Sequence, residues 1–242
     1  MGKCVTDSSP RLHPAMPPSS SPHILRANSA AISALDEDVR HMGALALANL
    51  RHAADGLLMR DTDLCNRAIA EDEEVDRLEK RIDSEGLQIM TRFGPVAADL
   101  RRVIASMKVS TALERISDHA VSLARRARQI NQHPVLPETA GLAPLADLAA
   151  AQLRDSVAAF CEGDLEAARL ILSRDAELDA GHEEFTQRII AKLEQDSSQA
   201  KSYVNLLFAT RFLERIGDQS VNIAEDTVYL QTAEDIRHQT PD

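Results

Sequence analysis

The sequence predicts an all-α protein: two tandem, pseudo-symmetric three-helix bundles, six long antiparallel helices in all, preceded by a disordered N-terminal tail. Three observations carry that prediction. Leu113-Glu114-Arg115-Ile116-Ser117-Asp118 returns 100 residues later as Leu213-Glu214-Arg215-Ile216-Gly217-Asp218. Asp72-Glu73-Glu74-Val75-Asp76 returns 103 residues later as Asp175-Ala176-Glu177-Leu178-Asp179, so one unit is used twice. Finally, 44% of the 242 residues are apolar but only 3% are aromatic, with no Trp. Helices packed through Ala and Leu suit that composition better than strands, which favour aromatic and β-branched side chains.

Residues 1–33 read as the tail. Pro10, Pro14, Pro17, Pro18 and Pro22 stand there among Ser8, Ser9, Ser19, Ser20 and Ser21, a segment with too little apolar surface to offset the entropy of ordering it. The first bundle spans 34–132. Its first helix runs from about 35 to 60, with Val39, Met42, Leu45, Ala46, Ala53 and Leu57 at helical spacing. Asp61 is placed to cap a second helix reaching about 92. Gly94-Pro95 stops it and starts a third that continues to about 129. His133-Pro134-Val135-Leu136-Pro137 is the linker, 133–137, because two close prolines interrupt a helix and stiffen the chain.

The second bundle, 138–232, repeats the plan with helices over about 138–161, 164–195 and 198–231, and 233–242 form a C-terminal tail. Asp61 precedes Asp72 by eleven residues, as Asp164 precedes Asp175. The repeat therefore extends beyond its motifs.

A formal charge of −11, from 27 basic and 38 acidic residues, argues against a nucleic-acid partner, since that binding rests on neutralising phosphates with Lys and Arg. Cys4, Cys65 and Cys161 form no CxxC and are odd in number, which points to a reduced, cytoplasmic protein without disulfides or a thiolate zinc site. No apolar run approaches the roughly 20 residues that cross a bilayer. There is no phosphate-cradling Gly loop, no G-x-S-x-G and no H-E-x-x-H.

The acids are the candidate chemistry. At about 100° per residue, Glu114 and Asp118 lie opposite the apolar face of the third helix, as Glu214 and Asp218 do on the sixth. Asp72, Asp76, Glu79 and Asp83 stripe the flank of the second helix; Asp175, Asp179 and His182 are the corresponding row of the fifth. Acids four residues apart repel one another on a helix, so four such pairs in two matched sets are either a solvated face or the frame of a cation site. Carboxylates favour hard ions, ferric iron, Mn²⁺, Mg²⁺ or Ca²⁺, while zinc usually recruits His or Cys. Neither ExxxD segment has the Glu-x-x-His of di-iron bundles, because Ser117 and Gly217 stand in the His position. His119 reads as a surface residue.

Taken together, the repeat, the Asp pairs and the Glu-Arg-Ile-Ser/Gly-Asp segments resemble the PhoU family of bacterial phosphate-uptake regulators. Pro95-Val96-Ala97-Ala98-Asp99-Leu100-Arg101 and Val221-Asn222-Ile223-Ala224-Glu225 add to the likeness, which covers roughly residues 35–232. The resemblance implies a homodimer carrying multinuclear metal clusters, with iron expected first and zinc, manganese, magnesium or calcium as alternatives. Residue by residue, the ligands would be Asp72, Asp76, Glu114 and Asp118 in the first half, and Asp175, Asp179, Glu214 and Asp218 in the second.

The resemblance further implies a negative regulator of phosphate uptake and of the phosphate-starvation response. Such a protein couples the Pst phosphate transporter, through its ATPase subunit, to a PhoR-type sensor histidine kinase, and meets the membrane only through those partners. It has no catalytic residues. A carboxylate-bridged metalloenzyme of the phosphatase kind and a metal-free helical adaptor are the competing readings. This chain departs from the family pattern at Ser122, Arg125, Gln199 and Gln219. The expectation that follows is of two unequal sites, the first partly neutralised by Arg125 and the second extended towards Glu225.

Overall fold

The computed structural model describes residues 22–236, which form seven α-helices and a 3₁₀ turn, with no strand among them. The helices are α1 (Pro22–Leu58), α2 (Thr62–Phe93), α3 (Ala97–Asn131), α4 (Ala143–Glu162), α5 (Leu165–Ser173), α6 (Asp175–Gln195) and α7 (Ala200–Thr232); the 3₁₀ turn is Pro137–Leu142. On α1, Leu35, Val39, Met42, Ala46, Leu50, Ala53 and Leu57 make one buried stripe at three- and four-residue steps. That stripe packs against α2 and α3, completing the first bundle.

Capping sets the helix ends. The Asp61 carboxylate accepts from the backbone N–H of Asp63 and Leu64 at 2.8 and 3.1 Å, satisfying donors the helix itself cannot. Gly94 ends α2 with φ 57°, a left-handed conformation that suits glycine. At the far end of α3, the Arg60 guanidinium donates to the carbonyls of Asn131 and His133 at 2.8 and 2.6 Å. Asp164 caps α5 through the Ala167 N–H at 3.0 Å.

Three boundaries differ from expectation. Residues 22–33, assigned to the tail, are helical: Pro22 is the first residue of α1, where a missing N–H costs nothing. Further in, Ala31 and Ile32 lean on the core and Asn28 donates to Asp99 at 2.8 Å. The remainder of the proposed tail, with Cys4, lies outside the described residues, as do 237–242. The fourth helix begins at Ala143 rather than 138, after the 3₁₀ turn. Lastly, the single helix expected over 164–195 is broken at Arg174 (φ −101°, ψ −2°). The Arg174 carbonyl accepts from the Glu177 N–H at 3.1 Å and from the Gln152 side chain at 3.5 Å, and Asp175 and Glu177 open α6, where acids favour the positive end of the helix.

The two halves share one core. Leu35, Leu113, Leu153, Leu206 and Leu213 belong to the same buried cluster, and α3 packs along α7 as α1 packs along α4. Lys108 meets Asp226 at 3.2 Å and Arg126 meets Asn205 at 3.1 Å, so α3 and α7 run antiparallel. Arg102 ties three helices together. It donates to Asp36 at 2.7 Å and to the Phe160 carbonyl at 3.0 Å, and its guanidinium stacks 4.7 Å over the Phe160 ring.

Candidate metal centres

In the first half, α2 and α3 lie antiparallel, and the acidic row of one faces the Glu114–Asp118 pair of the other. Ile116, Leu113 and Ala120 are fully buried on α3, as are Val75 and Ile82 on α2. Those contacts fix the rotation of both helices and leave the acids at the rim. Glu114 is half-buried. Burial and then the charge of Asp118, followed by Glu79, Asp76 and Asp72, push its carboxyl from 4.5 up to about 7. Asp72 is also raised, mainly by burial and partly by Asp76 and Asp118, against the lowering effects of the Ser117 hydrogen bond and Arg125. Asp72, Asp76, Glu114 and Asp118 thus form one electrostatically linked group, and the neutralising reach of Arg125 falls on Asp72.

A fifth acid, not among the eight expected ligands, joins this group. Glu79, after Asp118, is the carboxylate that acts most strongly on Glu114, and its own carboxyl is raised by burial, Asp83 and Asp76. It stands in the acidic stripe of α2, but its counterpart 103 residues on is His182. Repetition, the signal that picked out the other acids, therefore passes over it.

The second half brings its acids closer. Ligand oxygens of Asp175, Asp179 and Asp218 lie within 4.8 Å of one another, the one such triplet among the described residues. Burial, then Glu214, Asp175 and Asp179, push the Asp218 carboxyl from 3.8 up to about 6, opposed by Arg215. Asp175 is raised by burial, Asp179 and Glu214. Glu214 belongs to the same group, and its Oε2 is buried without a protein hydrogen-bond partner. A buried carboxylate oxygen without a donor is costly, and a cation held among these acids would satisfy it. The donor set, all carboxylate with neither His nor Cys, fits a hard, oxygen-preferring cation.

The other candidates fall outside the clusters. His182 pairs with the Thr210 hydroxyl at 3.2 Å. His119 stacks on Phe212 with ring centroids 6.1 Å apart, and burial together with Arg215 lowers its pKa. Cys65 is buried, and burial raises its thiol to about 11, which disfavours the thiolate. Glu225, expected to extend the second row, lines a groove of about 400 Å³ between α3 and α7 with Lys108, Thr111, Arg115, Gln219 and Asn222.

Comparison with known proteins agrees with this architecture. The sequence model of the PhoU domain matches twice, over residues 39–127 and 142–227. A phosphate-specific transport system accessory protein PhoU homolog of Xylella fastidiosa (strain Temecula1) is 33% identical over 212 residues, 88% of each chain. The phosphate-specific transport system accessory protein PhoU of Serratia marcescens is 32% identical over 216 residues, 89% of each chain. The crystal structure of PhoU from Pseudomonas aeruginosa superposes with a TM-score of 0.83 at 27% identity, covering 85% of this chain and 99% of that one. A phosphate transport system regulatory protein PhoU from Streptococcus pneumoniae superposes with a TM-score of 0.80 at 25% identity, covering 86% and 98%. With both repeats matched and the fold shared over most of its length, the chain belongs to the PhoU family.

Proposed function

We propose that this chain is an accessory protein of a phosphate-specific transport system, a regulator that restrains phosphate uptake and the starvation response. In this reading it joins the transporter's ATPase subunit to a PhoR-type sensor histidine kinase, as a cytoplasmic homodimer that catalyses no reaction. The relatives above are named as accessory or regulatory proteins. No helix among the described residues is long and apolar enough to cross a membrane, so contact with the transporter would run through protein surfaces.

The observation that carries the functional reading is the convergence, in each half, of acids from two neighbouring helices. Asp72, Asp76, Glu114 and Asp118, and likewise Asp175, Asp179, Glu214 and Asp218, are held together by core packing against their mutual repulsion. A bound hard cation such as iron would supply charge neutralisation among these carboxylates. Around it, the protein's contribution is positional. Ser117 engages one oxygen of Asp72 at 2.6 Å, and the buried neighbours of each motif keep the acid rows facing one another.

Elemental analysis of tag-free protein tests the metal part. Stoichiometric metal is expected in the parent, and none in a folded variant carrying Glu114→Ala, Asp118→Ala, Glu214→Ala and Asp218→Ala. Metal in neither, even after reconstitution, would reduce the protein to a metal-free adaptor. The regulatory part is tested by a starvation-response reporter in cells lacking the gene. Derepression in phosphate-rich medium is expected, with co-purification of the ATPase subunit. A reporter that stays silent would refute the regulatory role, and turnover of a phosphoester panel would revive an enzyme.

A further inference from the structure

The two halves treat their first acid differently. In the first half, Asn49 Nδ2 donates to Ser117 Oγ at 2.8 Å, and Ser117 Oγ donates to Asp72 Oδ1 at 2.6 Å. Asn49 and Ser117 are fully buried, so this relay reaches the cluster from inside the bundle. The second half has lost it. Gln152 occupies the place of Asn49, 103 residues on, and Gly217 that of Ser117, 100 residues on. A methyl group at Gly217 would collide with Leu178 and stand 3.0 Å from Gln152 Oε1, so the space of a hydroxyl is already taken. Gln152, 4% exposed, turns its Nε2 to the Arg174 carbonyl and leaves Oε1 without a protein partner. Among the described residues, no side chain or backbone group donates to the Asp175 carboxylate.

The geometry of the acids differs in the same sense. The second cluster already has three carboxylates with ligand oxygens within 4.8 Å of one another, and a fourth, Glu214, with a buried oxygen in want of a donor. No three acids of the first cluster approach as closely among the described residues. Each cluster has one opposing arginine, Arg125 acting on Asp72 and Arg215 on Asp218, so the convergence of the carboxylate oxygens is what separates the two. A hard cation binds in proportion to the charge and number of oxygens already turned towards it, and rearrangement of a ligand subtracts from affinity.

Resting on the metal reading above, we propose that the two clusters are unequal cation sites that fill in order. The Asp175–Asp179–Glu214–Asp218 cluster fills first, and the Asn49–Ser117 relay sets the order by holding Asp72 back from the other acids of its own cluster. The second half is then the resident site of the protein. The first is the responsive one, loaded only when cation is more abundant, so one chain carries a high and a low set point.

Mn²⁺ titration of the full chain after chelator treatment, followed by electron paramagnetic resonance, separates the two sites. The parent is expected to show two classes of site, differing roughly tenfold or more, the range in which outer-shell partners shift metal affinity. A Glu214→Gln, Asp218→Asn variant should lose the tight class, and a Glu114→Gln, Asp118→Asn variant should keep it. Ser117→Ala should tighten the weak class and narrow the gap. Ser117→Gly, which copies the second half, serves the same purpose if the alanine variant does not fold. Equal affinity in the two half-site variants would overturn the order of filling. A first site weakened or unchanged when Ser117 is replaced would overturn the role of the relay. Failure of every protein to bind Mn²⁺ would instead refute the metal reading on which the inference rests.

Discussion

Glu114 is the acid whose removal should strengthen the metal-free protein. Its carboxyl titrates near 7 in the fold against 4.5 when unperturbed. The folded state therefore holds a proton that the unfolded chain has released, and stability falls as pH rises from about 4.5 to about 7. Above that window the loss is complete; below it there is none. Taken at face value the difference is worth about 3 kcal/mol. Glu114 is partly in water, however, and screening there reduces the effect to about 1 kcal/mol. Glu114→Gln keeps the shape and removes the charge, so at pH 8 the chelator-treated variant should melt roughly 2–4 °C above the parent. At pH 4 the two should melt together. Thermal unfolding followed by circular dichroism reads both values. A variant that melts at or below the parent at pH 8 would show that Glu114 is not strained by its neighbours, and the argument from charge crowding would fall.

The other predictions concern the frame and its ligand. Mn²⁺ added to the chelator-treated parent should raise its melting temperature, with a stabilisation of about 2.7 kcal/mol at a free concentration a hundredfold above the dissociation constant; no shift at millimolar Mn²⁺ would count against a built site. Asp61→Ala removes the acceptor for two N–H groups of α2 and should cost about 1 kcal/mol in urea unfolding, whereas an unchanged midpoint would deny the cap any role. Ile116 is fully buried beneath the first cluster, and Ile116→Ala should cost about 2–5 kcal/mol through the cavity it leaves. A loss well below 1 kcal/mol would mean that the core closes around the gap.

Much of this molecule was legible from one dimension. Helical periodicity is local, so Val39, Met42, Ala46 and Leu57 announced α1, and Asp61, Gly94 and Asp164 announced its successors through turn and cap chemistry. The Asp and Glu pairs were visible for the same reason, since residues four apart share a helix face whatever that helix packs against. Recurrence at offsets of 100 and 103 marked which acids to compare.

What periodicity does not contain is the meeting of two helices. That Glu79 faces Glu114, that Asp72 is tethered by Ser117 and Asn49, and that Asp175, Asp179 and Asp218 come within 4.8 Å depend on the angle and register of packing. Those are set by how buried side chains from distant segments interlock. The break at Arg174, whose carbonyl meets Gln152, and the core shared by both halves have the same origin, since each answers to a neighbour far away in sequence. By itself the sequence determined the helices, their repetition and the acids they carry. Only the tertiary structure decided which acids converge and how the two clusters differ, because convergence is a property of packed surfaces and not of any one segment.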